Sequence, residues 1–399
     1  MKPKFHRKVL GNGMTILFEK RNNSVVSVAF AVMCGGMNEF VSEKGISHFI
    51  EHMLYKGTPT RNFKRISEEI EKNGGHLNGF TGESITAFFC KMSSKHLPVA
   101  LDVLSDMVKN PLFDAGEIEK EKKVIFEEIK MHKDNPLHHV FDESRNLLYK
   151  KPFGTLLLGN YETLNSLTRK KILKRFQKVY QPNNMILCVV GKADFKKIVE
   201  FAKKNFGNRK GKIPRFKIVK KNESRIEKRK GIGQANLVFA YHTPLARDKR
   251  SYAAFALNIL MAGGLSSRLF DEIRIKRNLA YAVKGDSDIN KDFSYNTIYV
   301  GTTKENIKKV KKIILDEFKK VSENLGEKEL AKVKEQIIGN HQISTEDSQN
   351  QMVNLLLHEL NGNANELYEF EKKIRDVKLK DVKSLAKIKK YSFFSLVPE

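Results

Sequence analysis

Two histidines four residues apart, with a glutamate between them, are the residues in this sequence best suited to metal chemistry: His48, Glu51 and His52. The apolar pattern of 45–55 predicts a helix, so both imidazoles project from one face, one turn apart, and can bind one ion. Glu51 lies at the edge of that face, where it can reach a metal-bound water without being a ligand. The alternative interpretation is two ordinary helix histidines.

A zinc ion that activates water needs three protein ligands and one open position, so a third ligand must come from elsewhere. The predicted helix 115–132 is rich in glutamates, most of which fit a solvated surface. Glu121 and Glu128 differ, because they are two turns apart and share a face with the apolar stripe Val124, Ile125 and Ile129. A carboxylate on a half-buried face requires a partner, and a metal ion would be one.

On these motifs, the sequence resembles the pitrilysin/insulinase family of zinc metallopeptidases, which carries the inverted motif His-x-x-Glu-His. It is most similar to the branch that includes the mitochondrial processing peptidase and its bacterial homologues. Residues 45–57 (GISHFIEHMLYKG) resemble the family's zinc helix, and residues 121–129 (EKKVIFEEI) resemble the helix that supplies its third ligand. Glu127 is then expected to be exposed.

The resemblance implies a role for each residue of the two helices. His48, His52 and Glu128 are expected to bind one Zn²⁺ per chain. Glu51 is expected to be the catalytic base. Glu121 is expected to support a ligand by contacting its side chain, without binding the metal itself.

A second motif lies in the other half of the chain, where residues 266–274 (SSRLFDEIR) are followed by 279–281 (LAY). The resemblance implies that Arg274 and Tyr281 reach the substrate and stabilise the oxyanion of its carbonyl group. Asn278 stands where relatives usually have glycine, a departure that is not expected to disable the loop.

Residues 74–81 (GGHLNGFT) resemble the edge strand on which relatives lay the substrate backbone by strand addition. Asn78 and Gly79 are expected to contact the peptide. Relatives usually have alanine at the second position, so Gly79 is expected to loosen side-chain discrimination. The alternative is a plain hairpin strand.

The elements that position these motifs come twice in the order strands, helix, strands, helices, strand, which predicts an α+β fold of two homologous domains. Each is expected to be a mainly antiparallel sheet flanked by helices, and the resemblance implies that the two together form a clamshell half. We predict a catalytic domain over 1–207, a basic linker over 208–230 and a second domain over 231–399 that supplies the Arg/Tyr loop. Residues 255–259 (FALNI) replace the metal motif there.

Composition narrows the classes of function. The net charge is +27, but lysines alternate with glutamates on predicted helices, which favours solvated faces over a nucleic-acid partner. Three cysteines in apolar runs predict reduced, buried thiols. The sequence shows no secretory signal and no apolar run long enough to span a bilayer, so we expect a cytoplasmic protein without a membrane partner.

Together the motifs and the resemblance predict a zinc-dependent endopeptidase, and the resemblance implies that it cleaves short or unfolded peptides inside a closed chamber. The alternative is a non-catalytic core or scaffold subunit of the same family. Because one chain carries both the metal motif and the Arg/Tyr pair, we expect a homodimer, with a hetero-partner of the same family as the alternative. The natural substrate and the cleavage preference do not follow from the sequence.

Overall fold

The computed structural model describes residues 4–399. The strands are β1 (Lys4–Val9), β2 (Thr15–Lys20), β3 (Val25–Val32), β4 (His76–Thr81), β5 (Thr86–Ser93), β6 (Met185–Gly191), β7 (Ser224–Arg229), β8 (Ala235–His242), β9 (Ala280–Ile289), β10 (Ser294–Thr302) and β11 (Ser392–Pro398). The helices are α1 (Ile46–Leu54), α2 (Phe63–Glu71), α3 (Leu97–Lys109), α4 (Ala115–Asp134), α5 (Pro136–Leu148), α6 (Tyr161–Asn165), α7 (Arg169–Val179), α8 (Phe195–Asn205), α9 (Ser251–Ala262), α10 (Ile307–Asn324), α11 (Glu327–Glu346), α12 (Ser348–Asn361), α13 (Phe370–Arg375) and α14 (Leu379–Leu385).

The chain divides into two compact units, each with its own sheet and apolar core. The first unit comprises the residues up to Ile129, Leu156–Lys217 and Ser344–Leu367. The second comprises Lys130–Thr155, Ile218–Ile343 and the residues from Tyr368 onward. Both sheets are mainly antiparallel and carry helices, which confirms the predicted α+β class.

The sheet of the first unit has the strand order β1-β2-β6-β3-β5-β4, with one parallel pair, β2 and β6. Strand β3 is buried along nearly its whole length because both of its faces are covered. Val26, Val28 and Phe30 face the main core, whereas Ser27 faces α12 and its hydroxyl lies 2.8 Å from that of Ser348. Strand β4 lies at the edge of this sheet, which leaves one side of its backbone unpaired within the sheet.

The sheet of the second unit has the order β7-β11-β8-β10-β9, with β7 and β11 parallel. One face of β8 packs into the core through Leu237, Phe239 and Tyr241. Helix α5 packs on β8 and β11. Strand β7 falls inside the predicted linker 208–230.

Two segments lie in the unit opposite to the one expected from the order of the chain. Lys130–Thr155, which contains α5, belongs to the second unit although it falls within the predicted domain 1–207. Ser344–Leu367, which contains α12, belongs to the first unit although it falls within 231–399. The amphipathic pattern of a helix shows that it needs a sheet to cover, but it does not show which sheet receives it.

Three further features concern the helices. The motif 266–274 of the second unit overlaps a π-helical turn, Phe270–Ile275. Helices α13 and α14 are short and were not predicted. Among residues 4–399, no helix combines the length and the apolar character that crossing a membrane requires.

Candidate metal centre

Helix α1, which carries both histidines, begins at a position fixed by a buried carboxylate. Glu39 accepts hydrogen bonds from the backbone N–H groups of Gly45 (3.0 Å) and Ser47 (2.7 Å), the first free donors of the helix. Gly45 has φ 96°, and a Cβ there would lie 2.4 Å from the carbonyl oxygen of Leu158. The start of α1 is therefore held by a contact that only glycine permits.

The inner face of α1 packs into the core through Phe49, Ile50 and Met53, which leaves the metal motif on the other side of the helix. The rings of His48 and His52 have centroids 4.5 Å apart. The predicted i, i+4 arrangement therefore brings both imidazoles to one place, as the spacing requires.

Helix α4 places Glu128 against both rings. Its Oε2 atom lies 3.7 Å from Nε2 of His48 and 3.7 Å from Nε2 of His52. The three ligand atoms all lie within 4.8 Å of one another, and no other group of three such side chains among residues 4–399 meets this criterion. Tetrahedral zinc with bonds of about 2.0–2.1 Å needs ligand atoms separated by roughly 3.3 Å, so small side-chain movements suffice.

The chemistry of this donor set fits a zinc ion. Glu128 Oε2 is buried and accepts no hydrogen bond from the described part of the chain. Two imidazoles and one carboxylate are a ligand set used by catalytic zinc in proteins. His48, His52 and Glu128 are thus the residues that would hold the ion.

Glu121 holds the imidazole of His52 in place. Its Oε1 lies 2.7 Å from His52 Nδ1, and its Oε2 forms an ion pair with Lys56 at 2.5 Å. A carboxylate on Nδ1 selects the tautomer with hydrogen on that atom, which leaves the Nε2 lone pair directed at the centre. Burial acts to raise the pKa of Glu121, but His52 and Lys56 together bring it below its ordinary value.

Glu51 lies next to His52 on α1 and is not one of the three side chains that could hold an ion. Thr81 Oγ1, on β4, donates a hydrogen bond to Glu51 Oε2 at 2.5 Å. Burial, joined by the charge of Glu128, raises the pKa of Glu51 in spite of this bond. A carboxylate with a raised pKa is a stronger base, which suits a group that must take a proton and later return it.

The structure adds residues that sequence reasoning missed. Thr81 and Lys56 contact Glu51 and Glu121, respectively, and neither follows from helical periodicity. Glu127 is exposed, as expected, and of the predicted apolar stripe Val124 is half exposed while Ile125 and Ile129 are buried.

Asn78 and Gly79 lie on the edge strand β4. The side chain of Asn78 is exposed, and its Oδ1 accepts a hydrogen bond from the backbone N–H of Gly79. The side-chain position of Gly79 faces α1, since a Cβ built there would meet side chains of that helix. The contact of both residues with a peptide stays a prediction.

Arg274 and Tyr281 lie together in the second unit. The guanidinium group of Arg274 sits 4.7 Å from the ring centroid of Tyr281 and 5.0 Å from that of Phe270. Tyr281 is 78% exposed. Asn278 has φ 50°, in the left-handed region where glycine and asparagine are best tolerated, so asparagine can fill this position. The predicted role of the pair toward a substrate stays a prediction.

The comparisons with known proteins agree on one family. Residues 15–160 match the profile of the insulinase family (peptidase family M16), and residues 166–337 match that of the peptidase M16 inactive domain. The chain is 35% identical over 344 residues to an uncharacterized zinc protease of Rickettsia felis, across 85% of this chain and 84% of that protein. It is 32% identical over 383 residues to the uncharacterized zinc protease YmxG of Bacillus subtilis, across 94% and 93%. The protein therefore belongs to the insulinase (M16) peptidase family.

Solved structures show the same fold. The chain aligns with the crystal structure of a protease from Helicobacter pylori with a TM-score of 0.92 at 22% identity, across 99% of this chain and 100% of that one. It also aligns with the peptidase M16 inactive domain from Pseudomonas fluorescens with a TM-score of 0.90 at 18% identity, across 99% and 98%.

Proposed function

We propose that this protein is a zinc-dependent endopeptidase in which His48, His52 and Glu128 bind one zinc ion per chain and Glu51 is the general base. The observation that carries the proposal is the convergence of three ligand atoms within 4.8 Å of one another, with a carboxylate beside them. The names of the Rickettsia felis and Bacillus subtilis relatives, both zinc proteases, support it.

The side chains of the site divide the work of peptide hydrolysis. A bound zinc ion would acidify an attacking water and polarise the substrate carbonyl group. Glu51 accepts the proton of that water and returns it to the leaving amine. Thr81 holds Oε2 of Glu51 by a hydrogen bond, which restricts the rotation of the carboxylate that transfers the proton. Glu121 keeps His52 in the orientation that a ligand needs.

The substrate is proposed to be an extended peptide that adds to the edge strand β4 beside Asn78 and Gly79. Arg274 and Tyr281 are proposed to donate hydrogen bonds to the carbonyl oxygen under attack. The peptides are proposed to be short or unfolded, because only an extended backbone can pair with an edge strand. Cleavage is proposed to take place inside a closed chamber. Rapid cleavage of a stably folded protein would contradict this part of the proposal.

Zinc content and cleavage of a quenched fluorescent peptide test the proposal directly. We expect about one zinc per native chain and activity that is lost in Glu51→Gln, which keeps its zinc because Glu51 is not a ligand. Glu128→Gln should lose both zinc and activity. Its matched control is Glu127→Gln, which changes the exposed neighbour on the same helix and should leave both unchanged.

The outcomes separate the alternatives. A native protein that holds no zinc after supplementation would refute the proposal and favour a non-catalytic core or scaffold subunit. A native protein that holds zinc and cuts nothing would indicate a missing partner subunit.

We also propose that the protein forms a homodimer, since one chain carries the proposed metal ligands and the Arg274–Tyr281 pair. We propose separately that it is cytoplasmic. Analytical ultracentrifugation of the protein expressed alone should give the mass of two chains. An active monomer would contradict the dimer, and an inactive monomer would favour a hetero-partner of the same family.

A further inference from the structure

The side-chain position of Gly79 is occupied by the hydroxyl group of Tyr55, the residue that follows α1. A Cβ on Gly79 would lie 2.5 Å from the hydroxyl oxygen of Tyr55, 3.0 Å from the backbone carbonyl oxygen of Ala87 and 3.2 Å from Glu51 Oε1. A carbon atom and an oxygen atom that are not bonded to each other do not approach to 2.5 Å. The hydroxyl of Tyr55 therefore takes the place that a side chain at position 79 would fill. Tyr55 and Gly79 are thus a sterically matched pair.

The hydroxyl of Tyr55 also lies near Glu51, the proposed general base, on the side of its Oε1 atom. Both oxygens, that of Tyr55 and Oε1 of Glu51, lie within 3.2 Å of one point. Tyr55 follows Glu51 by four residues, so the two side chains lie one above the other on the same face of the helix. Both border a small cavity that also contacts His52 and Asn78.

The hydroxyl of Tyr55 is a donor that no other contact uses. Its oxygen is buried and makes no hydrogen bond within the described residues 4–399. A buried hydroxyl without a partner is costly, and most are placed where a partner completes them. Burial, and then the charge of Glu51, raise the pKa of Tyr55, so its proton is present as a donor at neutral pH.

We propose that Tyr55 is a positioning residue for Glu51, whose hydroxyl occupies the space left by Gly79 and donates a hydrogen bond to Oε1. The soft terminal torsion of a glutamate lets its carboxylate turn toward the donor. Thr81 already donates to Oε2. With a hydroxyl donor on each oxygen, the carboxylate is held from two sides.

This inference rests on the proposed function for its catalytic part, whereas the match between Tyr55 and Gly79 does not. A double-mutant cycle of Tyr55→Phe, Gly79→Ala and the double variant tests both. Thermal midpoint, bound zinc, kcat and KM are measured for each. Tyr299→Phe is the control, because it also removes one buried tyrosine hydroxyl, whose hydrogen bond to Asn236 (2.7 Å) lies in the second unit.

For Tyr55→Phe we expect kcat to fall about tenfold, as for the loss of one hydrogen bond to a charged group, with KM within about twofold and zinc unchanged. Tyr299→Phe should change only the thermal midpoint. A purely structural role of Tyr55 would also move only the midpoint. A kcat of Tyr55→Phe within about twofold of the native value would overturn the positioning role.

For Gly79→Ala we expect a lower thermal midpoint, because the new methyl group meets the hydroxyl of Tyr55. The double variant should recover part of that loss, since the hydroxyl is gone while the methyl group still meets the carbonyl oxygen of Ala87. Additive effects in the cycle would overturn the steric match. A native protein that binds no zinc and cuts no peptide would refute the proposed function instead, while the midpoints still report on the pair.

Discussion

Replacing Glu121 is expected to weaken zinc binding although this residue is not a ligand. Its carboxylate makes two contacts, one to His52 Nδ1 at 2.7 Å and one to Lys56 at 2.5 Å, and it is almost fully buried. Loss of such an outer partner typically costs 10–100-fold in metal affinity, which corresponds to about 1.4–2.8 kcal/mol.

Because Glu121 makes two contacts, two substitutions at this position should differ in how much zinc affinity they lose. Glu121→Gln keeps an oxygen that can accept the Nδ1–H of His52 but turns an amide toward Lys56, so we expect a loss near tenfold. Glu121→Leu removes both contacts and leaves Lys56 without its carboxylate, so we expect a loss near 100-fold. Glu119→Gln is the control, because Glu119 is an exposed residue of the same helix that pairs with Lys122.

The dissociation constant of zinc is measured by competition with a chromophoric chelator at fixed pH, and circular dichroism verifies that each variant is folded. The expected order of affinity is native and Glu119→Gln first, then Glu121→Gln, then Glu121→Leu. If both variants at position 121 bind zinc as tightly as the native protein, Glu121 does not hold His52 for the metal and the reasoning fails.

Three further predictions concern protonation, the base and the packing of α12. Burial lowers the pKa of His52, but Glu121, Glu128 and Glu51 raise it overall, so protons compete with zinc and the measured affinity should fall as the pH drops from 8 to 5, by up to about tenfold per pH unit; a flat profile would contradict this. Thr81→Val removes a donor to Glu51 and should lower kcat about tenfold with zinc content unchanged; an unchanged kcat would show that Thr81 does not orient the base. Gln351→Leu removes one donor (2.5 Å) to the buried carboxylate of Glu19, which also accepts from Arg21 (2.8 Å), and should lower the free energy of unfolding by about 1–3 kcal/mol in urea; a stability equal to that of the native protein would show that Glu19 is satisfied without α12.

Helical spacing was sufficient to bring His48 and His52 together, because residues four apart on a helix share a face in any helix of this kind. The third ligand was different. Glu121 and Glu128 share a face of α4, and periodicity alone left both open. The packing of α4 against α1 assigns them different partners, with Glu121 on Nδ1 of His52 and Glu128 facing both Nε2 atoms.

The assignment of helices to the two units could not be predicted from local patterns either. The apolar faces of α5 and α12 could be read from the sequence, and so could the alternation of strands and helices that predicts an α+β fold. The sheet that each helix covers could not, because burial of an apolar face stabilises the chain equally on either sheet that offers a matching surface. The structure places α5 with the second unit and α12 with the first.

Local residue patterns predicted most of the longer helices and strands and the side chains that share a helix face, since these depend on residues a few positions apart, whereas the short α13 and α14 were not predicted. The tertiary structure decided every relation between distant residues. It selected Glu128 as the carboxylate against both imidazoles, placed Thr81 on Glu51 and set the hydroxyl of Tyr55 below Gly79. Those contacts depend on how helices and strands far apart in the chain pack side by side, and no local pattern encodes that packing.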